Sequence, residues 1–238
     1  MLNIKHHGAV QGVTGSCHEL FIDDTHSVLI DCGLFQGAET SGSGADSNRL
    51  QIEFDLSAVQ ALLITHVHID HVGRLPYLLA AGFKGPIYCS KPSAELLPLV
   101  IEDALKVGVT RNASIIKACL GRLASQLIPL EYLQWVDIPL SGDVKSSESR
   151  VQVHLSRAGH ILGSAYVTFR VVNADICRPK GATHKKYHDV VFSGDLGAPH
   201  SPLLPAPKSP YRADQLVIES TYGDRNHENR SARRKNLQ

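Results

Sequence analysis

Residues 62–78 read LLITHVHIDHVGRLPYL. With Ala61 the opening is an apolar run closed by a threonine, ALLIT at 61–65. Such a run reads as an interior strand covered on both faces. Three histidines and an aspartate follow within six positions: His66, His68, Asp70 and His71. Where a strand ends the chain turns sharply, so the alternating side chains of H-x-H-x-D-H converge. Neutral imidazole and carboxylate are the ligands a zinc ion takes when no thiolate is offered. His66 and His68 are spaced to share one ion, and Asp70 with His71 is displaced enough to serve a second. The competing reading is a polar loop with surface histidines. Four ligand-type residues at a strand end make it the weaker of the two.

Two later stretches repeat the pattern. VQVHLSRAGHILGSA (151–165) ends a strand and presents His160 between Gly159 and Gly163, and VVFSGDLG (190–197) presents Asp195 between Gly194 and Gly197. Glycine beside a ligand allows close backbone approach and turns that other residues resist. Two histidines alone leave a coordination shell incomplete, which favours His160 and Asp195 as its completion. Asp31 in LIDCGLFQG (29–37) also ends an apolar strand. A turn-forming role and a role in orienting a ligand histidine are both open to it.

The chain has 238 residues, 43% hydrophobic and 20% charged, which is globular composition. Lys+Arg 24 against Asp+Glu 23 gives no global basicity, so any nucleic-acid binding needs a local patch. The 13 histidines are the compositional oddity. The five cysteines form no C-x-x-C pair, which argues against a disulfide framework or zinc ribbon and fits a reducing, cytoplasmic setting. No signal-peptide core and no membrane-length apolar run is present, so no membrane partner is expected.

SCHELFID and HSVLIDCG read as a hairpin around DDT, and GAETSGSGADSN (37–48) as an exposed loop. GRLPYLLAAG reads as a short helix closed by Gly82, followed by strand GPIYCS. Residues 92–128 read as helical, with Asn112 or Ser114 as N-cap, a stripe of Ile115, Ile116, Cys119, Leu120, Leu123 and Leu127, and a start or kink at Pro98. From 151 the period returns to two in RVQVHLSRAG, SAYVTFRVVN, DVVFSGD and QLVIEST. A polar connection lies at 174–188 and a Pro-rich extended surface segment at 201–212.

Asp31, the H-x-H-x-D-H set, His160 and Asp195, in that order, resemble the metallo-β-lactamase superfamily. The resemblance implies an α/β fold, a four-layer αββα sandwich, with a binuclear zinc site along one edge. VTGSCHEL, DCGLFQG, HIDHVGRLPYL, GFKGPIY, AGHILGSA, FSGDLG and ESTYGDRNH together resemble its β-CASP branch, which processes RNA or DNA. That match runs from about residue 8 to 227. It implies His66, His68 and His160 on one zinc, Asp70 and His71 on the other, Asp195 bridging, and Asp31 orienting a ligand. Glu219 would be a supporting acid, so that Asp70, Asp195 and Glu219 are the candidate catalytic carboxylates.

In that branch a cap domain follows the ESTYGDR stretch, and later segments return two further histidines. The chain stops at Gln238. The expectation is therefore the N-terminal portion of a longer enzyme: a zinc-binding domain at 1–200, with an incomplete second half, and a Pro-rich connection, strand and cap start at 201–238. One histidine ligand of the second zinc would be missing. The expected function is hydrolysis of RNA phosphodiester bonds by metal-generated hydroxide, endo- or exonucleolytic, with DNA as alternative substrate and turnover slowed by the missing proton donor. The competing functions are a thioester or lactone hydrolase of the same fold and a non-catalytic metal-binding domain that dimerises. Basic residues such as Arg74, Arg157, Lys208, Arg212 and Arg225, and the cluster Arg230, Arg233, Arg234 and Lys235, are candidate phosphate contacts, with a solvated surface the commoner role. His18 and His227 are candidates near the site. Tyr222 either packs near the metals or fills core. His6, His7, His26, His154, His184, His188 and His200 read as surface or satisfied polar groups.

Overall fold

The structure, a computed structural model, describes residues 2–36, 50–141, 150–172, 187–199 and 201–224. The Gly/Ser-rich stretch, most of the 174–188 connection, Cys177, His184, His200 and the tail with Arg225, His227 and the basic cluster lie outside those residues.

Strand β1 (Asn3–His6) pairs antiparallel with β2 (His18–Phe21), and β2 with β3 (Ser27–Ile30). The expected hairpin is thus present, with a strand before it that the sequence reading did not identify. Parallel pairing then continues from β3 through β4 (Val59–Leu63) and β5 (Ile87–Ser90) to β6 (Leu127–Leu130). These six strands form one sheet. The second sheet has the order β11-β10-β9-β8-β7, from β7 (Trp135–Ile138), β8 (Arg150–Arg157), β9 (Ala165–Val172), β10 (His188–Phe192) and β11 (Gln215–Val217). Alternation along β8 and β9 sends Val151, Val153, Leu155, Val167, Phe169 and Val171 inward. There they meet Leu20, Val28, Ile30, Ala61 and Leu63 of the first sheet. Each fully buried large aliphatic contributes about 1.5–3 kcal/mol.

The other face of the first sheet is covered by helices α1 (Ile69–Val72), α2 (Leu75–Ala80), α3 (Lys91–Gly108) and α4 (Ala113–Gln126). Two-faced burial explains why ALLIT shows no alternation: Ala61, Leu62, Leu63 and Ile64 are all buried. The layers are therefore helix, sheet, sheet, and no helix covers the second sheet among the described residues.

Residues 92–128 form two helices and a strand end, not one helical block. Asn112 caps α4, accepting from Ser114 and Ile115 N–H, and Leu127 already belongs to β6. Pro98 neither starts nor ends a helix, because α3 begins at Lys91 behind the Ser90 cap and runs through the proline. Ile115 is 54% exposed, and Ile116 and Leu123 carry the buried face of α4. The Pro-rich segment is irregular and mostly exposed, as expected. Among the described residues no helix is long and apolar enough to cross a membrane.

Candidate metal centre

The ligand-type residues sit where strands end. Parallel strands β3 and β4 finish side by side, and crevices outside the carboxyl ends of such strands are the usual ligand sites of α/β sheets. Asp31 follows β3; His66, His68, Asp70 and His71 follow β4. The second sheet brings His160 from the β8–β9 loop and Asp195 from just after β10.

One ligand atom each from His66, His68, His160 and Asp195 fall within 4.8 Å of one another. His66 Nε2 and His160 Nε2 both stand 3.1 Å from His68 Nδ1. Asp195 Oδ2 lies 3.5 Å from His160 Nε2 and 3.8 Å from His66 Nε2. Donors arranged tetrahedrally about 2.0–2.1 Å from one ion stand roughly 3.3 Å apart, so this set fits a transition metal. Facing ring nitrogens with no cation between them are mutually unfavourable when protonated. Burial, reinforced by His71, His68 and His160, accordingly pushes the His66 pKa far below its ordinary value. Burial and His160 lower that of His68.

His71 lies beside this set. Its Nδ1 is 2.7 Å from Asp31 Oδ2, and its Nε2 is 3.2 Å from Asp195 Oδ1. Burial alone would lower its pKa. The charge of Asp31 and hydrogen bonds to Asp195 and Asp31 outweigh burial and hold it at about 10. Asp195 is depressed despite its burial, through His71 first and then His160 and His68. Asp195 thus turns one oxygen toward His66 and His160 and the other toward His71. Asp70 stands outside the four-atom set; its charge opposes the lowering of His68, and its backbone carbonyl accepts from Ser16 N at 2.9 Å.

Asp31 has φ +59°, a left-handed conformation that aspartate tolerates better than most residues. Its carboxylate accepts from Thr65 N and Thr65 Oγ1, both at 2.8 Å, and from Ser16 Oγ at 3.2 Å. This network holds the start of the histidine loop and the His71 ring together. Glu219 is spent on a loop: its Oε1 accepts from Leu196 N at 2.7 Å, one residue beyond Asp195, while its own N–H donates to Ser193 Oγ.

The His160 loop is clamped from two sides. Ser90 Oγ and Ser93 Oγ donate to Gly163 O at 2.6 and 3.0 Å, seating the loop on the N-terminus of α3. Ser164 Oγ accepts from His160 N, and Tyr132 OH donates to Ser164 O. Gly163 has φ +89°, and a Cβ there would stand 2.6 Å from Ser93 Oγ. The sequence reading missed Thr65, Ser16, Ser90, Ser93, Ser164 and Tyr132, because hydroxyl groups carry no spacing signal.

Beside His71 and Asp195 opens a cleft of about 320 Å³, lined also by Asp31, Glu219, His18 and His6. His18 therefore does sit near the site. Burial and then His6 lower its pKa to about 4. His6, expected to stand alone, is its cross-strand neighbour with Nδ1 2.9 Å from His18 Nδ1, a pairing that required recognition of β1. His7, His26 and His188 are satisfied polar groups, bonded to Glu19, to Asp23 with Ser141 O, and to Gln215. Tyr222 is 51% exposed and fills no core. Arg74 is buried rather than phosphate-facing, with Nε donating to Gly33 O.

Comparison with known proteins identifies the family. A family model described as the metallo-beta-lactamase superfamily matches residues 13–171. Ribonuclease TTHA0252 of Thermus thermophilus is 37% identical over 222 residues, covering 92% of this chain and 44% of that protein. Transcription termination factor FttA of Cenarchaeum symbiosum is 34% identical over 220 residues, covering 91% of this chain and 30% of that protein. Cleavage and polyadenylation specificity factor subunit 3-II of Arabidopsis thaliana is 28% identical over 221 residues, covering 90% and 32%. The chain spans less than half the length of these relatives. A solved subclass B3 metallo-beta-lactamase, MEM-A1 from a soil metagenome, aligns over 85% of this chain at 17% identity with TM-score 0.43. The chain belongs to the metallo-β-lactamase superfamily, with its curated relatives in the β-CASP branch.

Proposed function

We propose that this chain is the metal-binding portion of a zinc-dependent hydrolase that cleaves RNA phosphodiester bonds. The observation that carries the reading is the placement of Asp195 between two histidine groups, with Oδ2 toward His66 and His160 and Oδ1 toward His71. His66, His68 and His160 would hold one zinc, Asp70 and His71 a second, and Asp195 both. Zinc, when bound, lowers the pKa of water from 15.7 toward about 7 and offsets negative charge on phosphate oxygens. Asp31 fixes the His71 ring so that Nε2 faces the site. Asp195 stays ionised at neutral pH, and Glu219 pins the loop that carries it. The names of the relatives, a ribonuclease among them, support RNA as the substrate class. We place the zinc-binding domain at 1–200, with the 201–238 connection returning β11 to pair with β10, and the protein in the cytoplasm. A homodimer is the oligomer to test.

The test is zinc content of the purified chain measured beside cleavage of end-labelled single-stranded RNA, with Asp195→Ala as control. Two zinc ions per chain and RNA cleavage lost in the variant are expected. A zinc-loaded chain that leaves RNA and bis(p-nitrophenyl) phosphate intact yet hydrolyses a thioester would replace this reading. One ion per chain with no hydrolysis would leave a metal-binding interaction domain.

A further inference from the structure

Among the described residues several arginines are already occupied. Arg170 is bidentate to Asp189, Arg212 is paired with Asp214, and Arg74 is buried against Gly33 O. Arg157 differs. It is exposed at the end of β8, three residues before His160, and among the described residues no carboxylate lies within ion-pair distance of it. Glu131, beside Tyr132 in the sequence, is paired with Lys91.

The guanidinium stands 4.8 Å over the ring of Tyr132. Tyr132 is no loose partner, because its hydroxyl donates to Ser164 O in the loop whose Ser164 Oγ receives His160 N–H. Arg157 pairs across the ladder with Ala165, and Ala165 N donates to Thr65 O, next to His66. Strands lie about 4.8 Å apart, so the Arg157 backbone is on the order of 10 Å from the first ligand histidine. Stacking on an aromatic face holds a guanidinium plane while leaving its N–H edge free, which suits bidentate recognition of phosphate.

We infer that Arg157, held on Tyr132, is a phosphate-binding subsite for the nucleotide beside the scissile one, on the β8 side of the metal centre. This deepens the RNA reading above and rests on it. Single-stranded nucleic acid is commonly held by cations interleaved with aromatic rings, with strong salt dependence.

The experiment is fluorescence anisotropy of a labelled single-stranded RNA against the zinc-loaded chain over a salt series, with zinc content checked for every variant. Arg157→Ala should weaken binding about 3- to 10-fold and flatten the log–log salt slope by about 0.7, one contact's worth for single strands. Arg157→Lys should keep the slope but recover only part of the affinity, because it restores charge without the planar fork. Tyr132→Phe, which keeps the ring but loses the bond to Ser164 O, should retain more of the affinity than Tyr132→Leu, which loses both. Wild-type binding with an unchanged affinity and slope in Arg157→Ala would refute the subsite alone. A zinc-loaded wild type that binds no RNA at any salt would overturn the RNA reading and the subsite with it.

Discussion

His71 Nδ1 lies 2.7 Å from Asp31 Oδ2, although the two residues are 40 positions apart. A carboxylate facing one ring nitrogen fixes the proton there and leaves the other nitrogen aimed at Asp195. The face of His71 toward Asp195 is therefore oriented from behind, by Asp31.

Asp31→Asn keeps a side chain that tolerates the left-handed backbone but removes the charge. Metal affinity should fall about 10- to 100-fold, as for other partners of ligating histidines. Chelator competition measures it, and an unchanged affinity would show that Asp31 only shapes the turn.

Gly163→Ala places a methyl against Ser93 at φ +89°. Backbone strain of about 1–3 kcal/mol is expected, concentrated in the His160 loop. Urea unfolding should report the loss of stability, and metal titration should report weaker binding. A variant that binds metal as the wild type does would disconnect the α3 clamp from His160.

Glu219→Gln retains an oxygen able to accept from Leu196 N–H, whereas Glu219→Ala does not. If the side chain acts by holding the Asp195 loop, the glutamine variant should bind metal nearly as well as the wild type and the alanine variant about tenfold less. Equal damage from both would mean that the negative charge itself is used.

The metal-free chain should lose stability at both ends of the pH scale. His18 has a folded pKa of about 4 against 6.5, so its contribution is complete above 6.5 and is lost as pH falls toward 4. His71 has a folded pKa of about 10, so its contribution is complete below 6.5 and is lost as pH rises toward 10. Thermal midpoints of the chelator-treated protein at intervals across that range should show a maximum near neutrality. His18→Gln should flatten the acid limb only, and an unaltered acid limb would remove His18 from the account.

Much of this molecule is written locally. The apolar run before His66 marks a strand with both faces covered, and the alternation in 151–157 marks one with a single apolar face. Ligand chemistry is equally local, since H-x-H-x-D-H at a strand end is informative without any fold. Asn112 could be read as a cap because its side chain serves the residues two and three positions on. The reading failed where a short segment had too few residues to show a period, as with β1 and β7, and at Pro98 it left open a start or a kink, of which the structure removes the start.

The sequence by itself determined which side chains could bind metal and which segments would carry them, because spacing and hydropathy act between near neighbours. Only the tertiary structure decided that Asp195 faces two histidine groups, that His160 meets His68 across 92 positions, and that Ser93 clamps Gly163 across 70. Those distances depend on strand register and on how two sheets close against each other, which are set by the packing of the whole core rather than by any one stretch of chain.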